Sequence, residues 1–381
     1  MRNTFISGVC VALSLGAVQA HAQIAVSSND HKINQENGVN KNVTNPPPDT
    51  ITIMDLGALP VKVVGTVSNV PGSVVGPPLS VAITPDESIA LIASSSKLDP
   101  ADPTKLVPDD RVTVVDLKDR KILGTLNTGP GAAGISITRD GKRAYVANRM
   151  AGSVSILSID GKDVKLVKTV PLMDAKTLLS HMAVSPDGAT GVVTRNGDAK
   201  VELMKLGADN VSSSSVLDVA PRPYAVSVTP DSKAAVVASL GDPKANGILT
   251  VIDLASGKIV GTADIGHENL EGMIMSSDGR WIAGVAHAGS TRPKDAPQHK
   301  PNGMLVLYRL DGTGLTKTGE APIGGWSQGA SFSRDGSVIV VQNMNEKNLQ
   351  VFKNDNGKVT DTGQKIDVGG GAAAVRSSTD R

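Results

Sequence analysis

Apolar and polar residues alternate along most of the chain in short runs, broken by one recurring turn. VAITPDESIALIAS from Val81, ISITRDGKRAYVAN from Ile135, MAVSPDGATGVVTR from Met182, VSVTPDSKAAVVAS from Val226, MIMSSDGRWIAGVA from Met273 and ASFSRDGSVIVVQN from Ala330 share one plan. A period of two on both sides of an Asp/Gly turn predicts two antiparallel strands. The turn aspartates Asp86, Asp140, Asp187, Asp231, Asp278 and Asp335 lie 54, 47, 44, 47 and 57 positions apart. Each unit runs on into a third strand, such as RVTVVDL from Arg111 or ILTVIDL from Ile248. A fourth follows, such as KILGTL from Lys121 or KIVGTA from Lys258. Four-stranded units at a period of about fifty predict an all-β chain folded as a β-propeller.

Six turns give six blades, and the two ends of the chain supply a seventh. IAVSS (Ile24 to Ser28), ITIMDL (Ile51 to Leu56) and VKVVGTV (Val61 to Val67) read as second, third and fourth strands, and GAAAVRSS (Gly371 to Ser378) as the missing first. Three amino-terminal strands and one carboxy-terminal strand then close the ring, which removes the edges of an open array. Residues 23–381 form one seven-bladed domain on this reading. Residues 29–49, rich in Asn and Pro, read as a long, loosely packed surface loop.

Residues 1–22 read as a secretory signal peptide: Arg2, an apolar run from Ile6 to Val18, and a small-x-small site at Ala20-His21-Ala22. That run is too short to span a bilayer. The expectation is a periplasmic or secreted protein, without a membrane span and monomeric. Cys10 is the sole cysteine and falls inside the signal. The mature chain is therefore expected without disulfides, thiol nucleophiles, Fe–S clusters or covalent haem.

Charge and aromatic content narrow the partners. The 381 residues carry 38 Lys+Arg and 37 Asp+Glu, with 2 Trp, 3 Tyr and 3 Phe. A near-neutral chain lacks the basic field that nucleic acid selects, and so few aromatics cannot build a base-stacking platform or a cation cage.

The segments Ala144-Tyr145-Val146-Ala147-Asn148 and Gly152-Ser153-Val154-Ser155-Ile156 resemble the YVTN repeat of exported bacterial propellers, a group similar to the lactonase-like seven-bladed propellers. The resemblance implies this fold along the whole mature chain, and hydrolysis of a sugar-derived lactone as an activity. The Pro-Arg-His run of phosphogluconolactonase-type propellers has its nearest counterpart in Pro221-Arg222-Pro223-Tyr224, without the histidine.

Functional residues are expected on the channel face opposite the Asp/Gly turns. The candidates for contact with a small polar or anionic ligand, or with a periplasmic protein partner, are Asn148, Arg149, His181, Arg195, Tyr224, His267, Trp326, Gln328 and Asn343. For catalysis the candidates are Glu271 or His287 as base, with Arg222 (or Arg195) stabilising an oxyanion. His267, Glu271 and His287 form a candidate divalent-metal set. Two functions follow: first, an exported ligand- or protein-binding scaffold, and as the alternative a lactone hydrolase at the same face.

Overall fold

The computed structural model describes residues 23–243 and 245–380. The expected signal peptide lies outside the described residues. Seven four-stranded antiparallel sheets are present, in the strand order that the repeats dictate. Blades 1 to 6 begin with Val81–Ile83, Ala132–Ile137, Leu179–Val184, Pro223–Val228, Leu270–Met275 and Ser327–Phe332. Blade 7 combines Gly371–Ser377 with Ile24–Asp30, Thr50–Asp55 and Lys62–Ser68. The carboxy-terminal first strand pairs antiparallel with the amino-terminal second strand, Val26 opposite Arg376, so the ring closes as expected.

Small aliphatic residues build the core. Between blades 3 and 4, for example, Ala183, Val192, Val201, Val226, Ala235, Val237 and Ile252 interdigitate. The turns lock themselves: a Ser or Thr hydroxyl two residues earlier donates to the turn aspartate, at 2.6 Å in Thr138–Asp140, Thr229–Asp231, Ser276–Asp278 and Ser333–Asp335. Ser378-Thr379-Asp380 occupies the corresponding place in blade 7. Its carboxylate turns instead to the Ser331 hydroxyl at 2.7 Å and the Ser377 amide at 2.8 Å.

Residues 29–49 differ from the expected loose loop. They contain a hairpin, Ile33–Glu36 with Val39–Asn42. A buried lysine anchors the base of this hairpin. Lys32 Nζ donates to Asp49 at 2.5 Å and to the Gly72 carbonyl at 2.7 Å, and lies 3.1 Å from Asp30. A second hairpin, Ser96–Leu98 with Leu106–Pro108, rises from blade 1 on the same face. Among the described residues no helix is long and apolar enough to cross a membrane.

Candidate functional site

A β-bulge near the start of the first strand recurs around the ring. Pairing with the second strand slips after Ala132, Leu179, Pro223, Leu270 and Ser327, and slips also at Ala373 in blade 7. A bulge leaves its extra residue unpaired and re-aims the side chain. The residues so presented at the channel mouth are Ala133, Ser180, Tyr224, Glu271, Gln328 and Ala373. Blades 2 and 7 thus contribute alanine, whereas blades 3 to 6 contribute polar groups. The next residue in blade 5 is Gly272, where any Cβ would run into the Gln328 carbonyl, so the neighbouring strands approach closely here.

A second repeated feature lies one residue before these strands. Leu178, Arg222, Asn269 and Trp326 all have positive φ, of 48°, 57°, 61° and 48°. Non-glycine residues held in this region mark places where the surroundings over-determine the backbone. Two of them bind each other: Arg222 Nη2 donates to Asn269 Oδ1 at 3.2 Å, while Arg222 Nε donates to the Gly241 carbonyl at 2.6 Å. Asn269 Nδ2 in turn meets His287 Nδ1 at 2.6 Å, and His287 Nε2 lies 3.1 Å from the Ser327 carbonyl. The carbonyl can only accept and the amide nitrogen only donates, so His287 is the neutral Nε2–H tautomer.

Glu271 is the unusual member. It is 7 % exposed, and its carboxyl has no hydrogen-bond partner among the described residues. His287 Nε2 stands 3.9 Å away, beyond hydrogen-bond reach. Burial pushes the Glu271 carboxyl up to about 8, against the opposing charges of Arg222 and Arg149. Burial pushes His287 down to about 4. The Tyr224 phenol is raised, by burial first and then by the Glu271 charge. The Arg149 guanidinium lies 5.6 Å from the centre of the Tyr224 ring, and is anchored by the Leu178 carbonyl, Ser180 and Asn196. Arg149, Met150 and Tyr224 form one wall of a cleft of about 280 Å³, and Val75, Leu106 and Val107 form the other.

Glu271, Arg222, His287, Tyr224 and Arg149 therefore come together, and of the other candidates only Gln328 remains at the mouth. Asn148 and Asn343 end second strands and lock blade corners: Asn148 donates to Ser153 and Ser155, and Asn343 to Asn348 and Gln350. Arg195 is neutralised by Asp198 and Glu202. His181 is buried deeper in the channel, 2.9 Å from the Ser136 hydroxyl, and burial pushes it down to about 3. Trp326 packs on Ile33, Val74, Met344 and Ala373, which spends its ring on holding the amino-terminal hairpin. Gln328 stays at the mouth, with Nε2 donating to the Trp326 carbonyl.

The metal set does not assemble. His267 Nε2 engages Glu320 at 3.0 Å, away from the mouth, and among the described residues no three His, Cys, Asp or Glu are grouped to hold an ion. Sequence reading missed Asn269, which joins Arg222 to His287. It also missed the ion pair of Arg292 with Glu268 that pins the Gly289–Gly303 loop beside the site.

Residues 110–230 match the family model described as lactonase, 7-bladed beta-propeller. No curated protein matches the chain. Among solved structures, a putative 6-phosphogluconolactonase from Bacteroides fragilis is 15 % identical, covering 94 % of this chain and 99 % of its own, with a TM-score of 0.69. The periplasmic gluconolactonase of Pseudomonas aeruginosa is 17 % identical, covering 93 % and 98 %, with a TM-score of 0.68. The hydrazine synthase of Kuenenia stuttgartiensis is 20 % identical over 75 % of this chain and 78 % of its own, with a TM-score of 0.60. At these identities the likeness establishes the fold, a seven-bladed β-propeller, with a lactonase-family match that covers part of it.

Proposed function

We propose that the protein is a periplasmic lactone hydrolase working at this channel mouth, in place of the scaffold role that the sequence put first. The observation that carries the reading is Glu271: a buried carboxyl without a hydrogen-bond partner among the described residues, under the charges of Arg222 and Arg149, on the blade next to the Tyr224 that lines the cleft. Strongly perturbed groups in a cleft are candidates for proton transfer. The lactonase match over residues 110–230 and the likeness to a periplasmic gluconolactonase support both activity and compartment.

In the reaction, a water oxygen attacks the lactone carbonyl carbon while the Glu271 carboxylate takes its proton. Arg222 Nη1, which has no partner among the described residues, stabilises the oxyanion. The ring C–O bond then breaks, and the ring oxygen recovers the proton from Glu271. His287 is a poor base with both nitrogens engaged, so its part is to hold Asn269, which holds Arg222.

A pH-stat assay with gluconolactone-type substrates tests the reading. Hydrolysis above the buffer rate, lost in Glu271→Gln, is expected. A rate no better than buffer for the intact protein removes it.

A further inference from the structure

The opposite end of the channel holds a second group of buried donors. Arg376 stands on the first strand of blade 7, 5 % exposed, and its guanidinium has no hydrogen-bond or ion-pair partner among the described residues. It lines a small cavity with Ser136, Ser378 and Asp380, walled by Val81, Ile83, Ile135 and Ile137. Ser136, Ser227 and Ser331 sit at the same strand level as Arg376. Each pairs with the third residue of its second strand, Tyr145, Val236 and Val340, as Arg376 pairs with Val26. One guanidinium and three hydroxyls thus ring the channel at one height. Ser227 Oγ and the neighbouring His181 Nδ1 are buried without partners.

We propose that this end of the channel binds one small inorganic anion, a halide such as chloride, held by the Arg376 guanidinium and the Ser136 hydroxyl. The guanidinium has no protein acceptor among the described residues and borders this cavity, with only the nearby Asp380 charge opposing its own; an anion there satisfies its donors. The cavity is about 20 Å³, room for one species of water's size, which favours a monatomic anion. When His181 Nε2 donates to Ser136 Oγ, the Ser136 proton is free to point at the anion.

The titratable groups facing Arg376 are few. His181 on blade 3 is kept neutral by burial, and Asp380 is raised by burial to about 6. Glu87 and Arg334, on the rim beyond Ser378, pair with each other. The first strands of blades 1, 2 and 6 bring no charge to the cavity. Asp380 competes with a bound anion, so binding tightens as pH falls through about 6 and Asp380 is neutralised.

The test compares sodium chloride and bromide with sodium acetate at equal ionic strength. Chloride should raise the Tm of the intact protein by about 2 °C at pH 5.5, and less at pH 8. Asp380→Asn should recover the full shift at pH 8, and Arg376→Met should lose it. A bromide-soaked crystal should show an anomalous peak beside Arg376. The same Tm in all three salts, with no peak there, overturns the proposal, and the crystal decides if Arg376→Met does not fold.

Discussion

Tyr224 and Glu271 hold the same bulge position on adjacent blades, each the second residue of a first strand, and so face one another's space across the channel mouth. Their electrostatic coupling follows from that equivalence: the Glu271 charge adds to burial in raising the Tyr224 phenol. Two neighbouring bulges thus set an acid beside a phenol; the phenol lines the cleft, with Arg149 over its ring.

Glu271→Gln should lower kcat/KM for lactone hydrolysis by about 10²–10⁴-fold, the range for loss of a general base. In the parent protein kcat/KM should rise about tenfold per pH unit and level off near pH 8, where burial has moved the Glu271 carboxyl. A profile flat between pH 5 and 9 would reject Glu271 as the proton acceptor.

The same carboxyl makes a stability prediction with a definite sign. Its pKa is higher folded than unfolded, so the neutral form favours folding below about pH 4.5, and that advantage is lost as pH rises through about 8. Glu271→Gln should remove this loss and stabilise the protein at pH 9 by an amount on the order of a few kcal/mol, with little change at pH 4. Urea unfolding at the two pH values measures it; equal effects at both would contradict the buried-carboxyl account.

Asn269 binds Arg222 and His287 from a backbone with φ of 61°. Asn269→Gly tolerates that backbone but removes both contacts, so kcat/KM should fall about tenfold with little loss of stability. Asn269→Val adds backbone strain and should cost about 1–3 kcal/mol as well. Kinetics and thermal melts on the pair separate positioning from folding.

The blades were legible because strand alternation and the Asp turn recur in sequence at a scale that local pattern captures. Ring closure was legible because three unpaired strands at one end complemented one at the other. The bulges were not, since a slip of one residue leaves the alternation of Pro223-Tyr224-Ala225 or Leu270-Glu271-Gly272 looking like ordinary strand. Arg222, Glu271 and His287 were singled out by residue type; the proposed division into proton acceptor and positioning groups rests on burial and on Asn269. His267 was misgrouped with them because nearness in sequence hid that it faces Glu320.

Two buried histidines work against the fold in acid. Burial pushes His181 to about 3 and His287 to about 4. Their folded pKa values lie below the unfolded value, so the stability they allow is present above about pH 6.5 and is lost as pH falls towards 4. His287→Gln should flatten that decline, at the expense of the Asn269 contact. Circular dichroism melts between pH 4 and 7 check the slope, and an unchanged slope would mean that the acid limit lies with other groups.

Lys32 offers the sharpest test of blade closure. Burial alone would lower the pKa of its ammonium, but Asp30 and Asp49 outweigh burial and raise it. Asp30 accepts from the Val74 amide and Asp49 from the His31 and Gly72 amides, so this one cation ties together the end of a blade 7 strand, the hairpin and the segment before blade 1. Lys32→Met keeps the apolar stem and leaves two buried carboxylates facing each other. Removing one partner of a buried pair costs about 3–5 kcal/mol. The loss should shrink at pH 4, because Asp30, already raised by burial, then takes up a proton. Hydrogen exchange should quicken across Ile33–Asn42 before it quickens in blades 2 to 5. A Lys32→Met protein that unfolds at the parent urea midpoint at pH 7 would show that closure rests on strand pairing alone.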